Sequence, residues 1–140
     1  MVGIWEAYKL LFTNYTNFGG KSSRAEYWWV YLVNLIIGIL LFILSVAIFM
    51  FINKDGYGIL MGIIVGYLLT SIYSLIILIP SIALSVRRYR DVGISPWWFL
   101  VIVVASFIFL IMSNLANIFY IMGIIISMVG LVITILPSKK

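Results

Sequence analysis

Three long stretches of this chain contain no charged residue: Tyr27 to Ile52, Tyr57 to Val86 and Trp97 to Leu136. A hydrocarbon core about 30 Å thick is crossed by ~20 helical residues rising ~1.5 Å each. Every one of these stretches is long enough to cross it. Hydrophobic residues form 65% of the chain and charged ones 9%, against roughly 45–50% and 25% in soluble domains. So few charges cannot cover a water-soluble globule. The balance predicts an integral membrane protein and excludes a soluble enzyme, a disordered chain, a collagen-like fibre and a disulfide scaffold. The apolar runs are continuous rather than alternating, so they read as helices and not as ~10-residue barrel strands with a polar inner face. The first run is too long for a signal peptide, follows 26 leading residues and lacks a small-residue cleavage site.

Polar interruptions divide the runs. Asn53, Lys54, Asp55 and Gly56 predict a short turn after the first. The second, as a straight helix, would measure roughly 45 Å, so it must tilt, kink or protrude. Pro80 offers a break, because it removes a backbone donor and clashes with the preceding turn. The third run would reach roughly 60 Å, twice the core. The string Ser113-Asn114-Leu115-Ala116-Asn117 predicts a tight hairpin within it. The expectation is an all-α, four-span membrane domain over residues 1–140, with helices at about 24–52, 57–86, 96–113 and 117–136.

Ahead of these spans, Ile4, Trp5, Tyr8, Leu11, Phe12 and Tyr15 recur at helical spacing. Residues 1–18 therefore read as an amphipathic helix lying in the cytoplasmic interface. Gly19 and Gly20 are its expected stop, and Ser23 with Glu26 predicts a capping box for the next helix. Orientation follows from lysine and arginine. Lys9, Lys21, Arg24, Arg87, Arg88, Arg90, Lys139 and Lys140 fall on one side of the spans and only Lys54 on the other. Cytoplasmic loops carry the excess, so both termini are expected in the cytoplasm.

The charges also cluster. Lys21, Arg24 and Glu26 open the first span, while Arg87, Arg88, Arg90 and Asp91 follow the second, on the same side. One reading is structural: Glu26 and Asp91 pair with arginines and lock the helix ends. The other is a headgroup pocket, in which surplus arginine framed by Trp28, Trp29, Trp97 and Trp98 attracts lipid phosphate. Those four tryptophans are also the expected interfacial anchors. Gly58, Gly62 and Gly66 form a row spaced by four, a groove that admits a second backbone. Packing within the chain or against another copy would use it. Gly123 and Gly130, with Ser127, make a similar face on the last span and are candidate partners. Tyr67, Ser71 and Ser74 are expected to bond between helices or to their own backbone.

Two blocks carry a family likeness. Phe18-Gly19-Gly20-Lys21-Ser22-Ser23-Arg24-Ala25-Glu26-Tyr27-Trp28 resembles the F-x-G-R-x-S-R-x-E-Y-W opening of a bacterial inner-membrane family, domain of unknown function 805 (DUF805). Ile79 to Trp98, with Ile79-Pro80, Arg87-Arg88, Asp91, Gly93, Ser95 and Trp97-Trp98, resembles its IP-x-x-A-x-x-V-R-R-L-H-D-x-G-x-S-G-W-W block. Lys21 stands where that pattern has Arg, Arg90 where it has His and Pro96 where it has Gly. Leu136-Pro137-Ser138-Lys139-Lys140 does not match the family's Asn-x-Tyr/Phe-Gly-x-x-Pro tail. The resemblance implies a multi-pass protein of the bacterial inner or cytoplasmic membrane, and it attaches no activity.

Function classes narrow by absence. The chain has no Cys and no His, which removes thiolate chemistry, the commonest metal ligand and the usual base near pH 7. Four acidic residues beside nine basic ones leave few parts for acid–base catalysis, so neither an enzyme nor a cofactor is expected. In a membrane protein the net charge of +5 points to orientation and anionic lipid rather than nucleic acid. Transporters keep charges or broken helices at mid-membrane, and no charge lies within these spans. The expected role is a small adaptor that contacts lipids, its own copies or another membrane protein through a basic cytoplasmic rim. An oligomeric uncharged pore or small transporter is the alternative.

Overall fold

A computed structural model describes residues 2–53, 56–114 and 117–139 as five α-helices: α1 (Ile4–Thr13), α2 (Arg24–Ile52), α3 (Tyr57–Val92), α4 (Trp97–Met112) and α5 (Asn117–Ile135). Three of them, α2, α3 and α5, are long and apolar enough to cross a membrane; α4 is as apolar but shorter. Burial is inverted relative to a soluble protein. Large aliphatic and aromatic side chains along α2 to α5 point outward, whereas Arg88, Tyr89, Ser22 and Pro80 are among the largest fully buried residues. Such an apolar exterior is stable only in lipid.

The frame is the antiparallel pair α2–α3. Its close approach is set by the glycine row. A Cβ at Gly58 would stand 2.5 Å from the Phe49 carbonyl oxygen, and one at Gly62 would stand 2.6 Å from the Val46 Cα; at Gly66 it would meet Ser45 and Phe42. Ser45 joins the two helices there, its hydroxyl donating to the Gly62 carbonyl at 2.9 Å. The row thus packs within the chain. Gly123 and Gly130 do not meet it. They let α4 and α5 close into a second hairpin, facing Phe109 and Ile102 respectively, with the Tyr89 hydroxyl also over Gly130. A helix on α5 had only one near neighbour in sequence, α4, and the short connection selected it.

Several boundaries differ from expectation. The second span does not stop at Val86: α3 runs unbroken through Pro80 and on to Val92, so the Arg87–Asp91 charges are helical. Gly93 ends it in the left-handed region, φ 83°, where its Cβ-free backbone is tolerated. α1 ends at Thr13, ahead of Gly19 and Gly20; there Thr13 Oγ1 and Asn14 Nδ2 donate to the Lys9 and Leu10 carbonyls of the last turn. Gly20 instead bends the linker at φ 79°. The buried side of α1 is centred on Ala7 and Leu11, which pack with Val30 of α2 and Leu84 of α3. Trp5 faces outward, 71% exposed, with the Lys9 ammonium over its ring at 5.5 Å. The expected turn residues Lys54 and Asp55, and Leu115 and Ala116 of the second hairpin, lie outside the described residues.

Candidate functional site

The charged end of the helix pairs is where the chain's polar groups converge. Ser23 caps α2 by accepting the Glu26 N–H at 3.2 Å, half of the expected capping box. The other half is diverted. Glu26 turns inward, accepts a hydrogen bond from the Ser22 hydroxyl at 3.1 Å and faces Arg87 Nη2 at 3.8 Å. That separation makes an ion pair and no hydrogen bond; Arg87 Nε and Nη2 are buried with no partner among the described residues.

Arg88 is the hub. Wholly buried, it pairs with Asp91 one turn on along α3. Its Nε donates to the Thr134 carbonyl at 3.0 Å, Nη1 reaches the Ser22 carbonyl at 3.5 Å and Nη2 donates to the Leu136 carbonyl. A helix C-terminus leaves carbonyls without intrahelical donors and carries partial negative charge. One guanidinium therefore caps α5, fixes the 14–23 linker and neutralises Asp91. Asp91 in turn accepts from the Ser138 hydroxyl, and its carbonyl accepts the Lys139 N–H at 3.0 Å. The segment after α5 is thereby folded onto the end of α3.

The remaining cations are exposed. Arg24 donates through Nη1 to the Ile135 carbonyl at 3.4 Å, and Arg90 to the Phe18 carbonyl at 3.0 Å. Lys21 is exposed as well. Among the described residues none of the three faces a carboxylate; the ion pairs are Glu26–Arg87 and Asp91–Arg88. The seven charges proposed as one cluster are thus brought to one end but sorted, four buried in two pairs and three left as cations at the surface. Both carboxylates are engaged, so what this surface offers chemically is guanidinium and ammonium donors to an anion.

The tryptophans also divide. Trp97 and Trp98 are exposed at the start of α4. Trp29 packs against the Ala7–Leu11–Val30–Leu84 cluster, and Trp28 stacks edge-on with Tyr31. Ser71 and Ser74 donate to the Tyr67 and Thr70 carbonyls of their own helix. Two polar features escaped sequence reasoning. One is the Arg88 contact with the end of α5, for which the only cue was a last helix without a glycine stop opposite surplus arginine. The other is a relay within the bundle, in which Tyr73 donates to Asn34 Oδ1 at 2.7 Å and shares a 3.1 Å hydrogen bond with the Tyr8 hydroxyl. A lone Asn and two tyrosines on three helices carry no spacing signal.

Comparison with known proteins matches residues 15–140 to a family model described as protein of unknown function, DUF805. The inner membrane protein YhaH of Escherichia coli K12 is 32% identical over 97 residues, covering 69% of this chain and 72% of that protein. YhaI, another Escherichia coli inner membrane protein, is 29% identical over 91 residues, 65% of each chain. No solved structure matches.

Proposed function

Because this chain belongs to the DUF805 family, whose relatives YhaH and YhaI are inner membrane proteins, we propose that it is a non-catalytic, four-span adaptor of that membrane, anchored by its basic rim to anionic lipid. Both termini lie in the cytoplasm, as the lysine and arginine asymmetry requires. α4 at roughly 24 Å crosses with local thinning of the bilayer. α1 rests at the cytoplasmic interface, Trp5 and Lys9 outward. The observation that carries the reading is the sorting of the charges: Arg87 and Arg88 are consumed by Glu26 and Asp91, while Lys21, Arg24 and Arg90 remain exposed at the same end. Cations held beside an anionic leaflet are each worth about 1 kcal/mol.

The test is thermal unfolding in nanodiscs of phosphatidylcholine with and without phosphatidylglycerol. The wild type is expected to melt higher when the anionic lipid is present. Joint replacement Lys21→Gln, Arg24→Gln and Arg90→Gln should remove that difference and leave the melt in pure phosphatidylcholine unchanged. A triple variant that keeps the full anionic stabilisation would overturn the lipid reading.

A further inference from the structure

The two helical hairpins do not close on each other. Among the described residues α2 and α4 make no contact, and α4 is held by α5 with slight support from α3. The gap is a cavity of about 780 Å³, walled by α4 and α5 on one side and by Tyr27, Trp28 and Tyr31 of α2 on the other. Its volume is that of a small-molecule site, typically ~300–1,000 Å³. Its shape is a furrow: the α5 wall from Gly123 to Thr134 extends roughly 16 Å along the helix.

The lining is nearly dry. Ser127 and Thr134 donate to their own helix at the Gly123 and Leu131 carbonyls, and the Tyr89 hydroxyl donates to the Gly130 carbonyl. Among the described lining residues, only the Ser106 hydroxyl is buried without a partner. Such a furrow suits a hydrocarbon chain and offers a hydrated solute or an ion nothing to replace its water.

The mouth differs in kind. Arg24 stands three and four residues before Tyr27 and Trp28, on the same face of α2. Its long contact with the Ile135 carbonyl places the guanidinium beside Thr134, where the α5 wall ends. It is exposed, faces no carboxylate among the described residues, and keeps donors free for a bidentate partner. We infer that the α2–α4–α5 furrow holds one acyl chain of an anionic phospholipid whose phosphate rests on Arg24. A furrow filled instead by an apolar helix of a second copy would bury that guanidinium without an anion, which is costly. The inference rests on the anionic-lipid reading above and narrows it from a diffuse rim to one stoichiometric site.

The test is native mass spectrometry of the full chain in mild detergent, with phosphatidylglycerol or phosphatidylcholine added. Val103 lines the furrow, whereas Val101 is equally exposed on α4 and does not line it. Val103→Trp should abolish the single retained lipid and Val101→Trp should keep it, both with wild-type melting. Arg24→Gln should retain a lipid but lose preference for phosphatidylglycerol, by roughly tenfold, the size of one charge-assisted contact. Equal retention by the two tryptophan variants would overturn the furrow site. If the triple rim variant then still loses its anionic stabilisation, the rim reading stands and only the site fails. A wild-type dimer that Val103→Trp splits would assign the furrow to a second copy and overturn the inference.

Discussion

At the residue scale, the weight carried by a side chain here depends on whether its neighbours can move. A Cβ at Gly62 meets the Val46 Cα, which is backbone, so Gly62→Ala must push two helices apart. A loss of about 1–3 kcal/mol is expected, as for other overpacked sites, read as a lower midpoint of unfolding in detergent. Gly38 is the control: on α2, a Cβ there meets nothing within 4 Å, and Gly38→Ala should cost nothing. The arginines obey the same logic through charge. Arg88→Gln leaves Asp91 buried without its cation and strips the donors from the end of α5. Breaking a buried pair in this way costs about 3–5 kcal/mol. Arg90→Gln, at the surface, should stay within about 0.5 kcal/mol of the wild type. Equal melting of these two variants would contradict the hub assigned to Arg88.

At the scale of elements, α1 is held by two small patches, the Ala7–Leu11 contact with Val30 and Leu84 and the Tyr8–Tyr73–Asn34 relay. Ten residues are too few to be helical alone, so α1 depends on both. Leu11→Ala should detach it at a cost of about 2–3 kcal/mol of docking, seen as faster hydrogen exchange over residues 4–13 with exchange in α2 and α3 unchanged. Tyr73→Phe removes the central hydroxyl of the relay and leaves the Asn34 amide oxygen without that donor. Interhelical hydrogen bonds in membranes are worth on the order of 0.6 kcal/mol, so its effect should be the smaller of the two. Uniform exchange in both variants would place the anchoring of α1 elsewhere.

At the scale of the whole molecule, the two hairpins are joined at one end, where Arg88 and Asp91 meet the end of α5 and the segment after it, and the Tyr89 hydroxyl meets the Gly130 carbonyl. Elsewhere α4 and α5 stand apart from α2. The polar end therefore joins the two hairpins as well as forming the charged face. The topology built on it is tested by reporter fusions at Lys140 and Asp55: a cytoplasmic signal is expected from the first and an extracytoplasmic one from the second. The reverse pattern would invert the rim and remove its access to the cytoplasmic leaflet.

That the uncharged runs form helices was legible in the sequence, because an uncharged run in lipid has no alternative to a helix; the ends of α1 and α3 were not, since α1 is confined to Ile4–Thr13 and α3 runs past Val86 to Val92. The glycine row was legible for a similar reason, since only backbone contact needs three glycines four apart. The placement of basic and acidic residues at one end followed from counting spans. Which arginine would cap α5, and that Arg90 alone of the three would stay at the surface, did not. Arg87, Arg88 and Arg90 are near neighbours of one chemical type, and their fates differ because successive helical residues point about 100° apart and only one direction faces the open carbonyls of α5. Gly123 and Gly130 were likewise visible as a small-residue face, yet their partner was decided by the hairpin that joins α4 to α5. The furrow had no sequence signal at all, since it is the space left by two helices that do not touch, and a gap belongs to no residue.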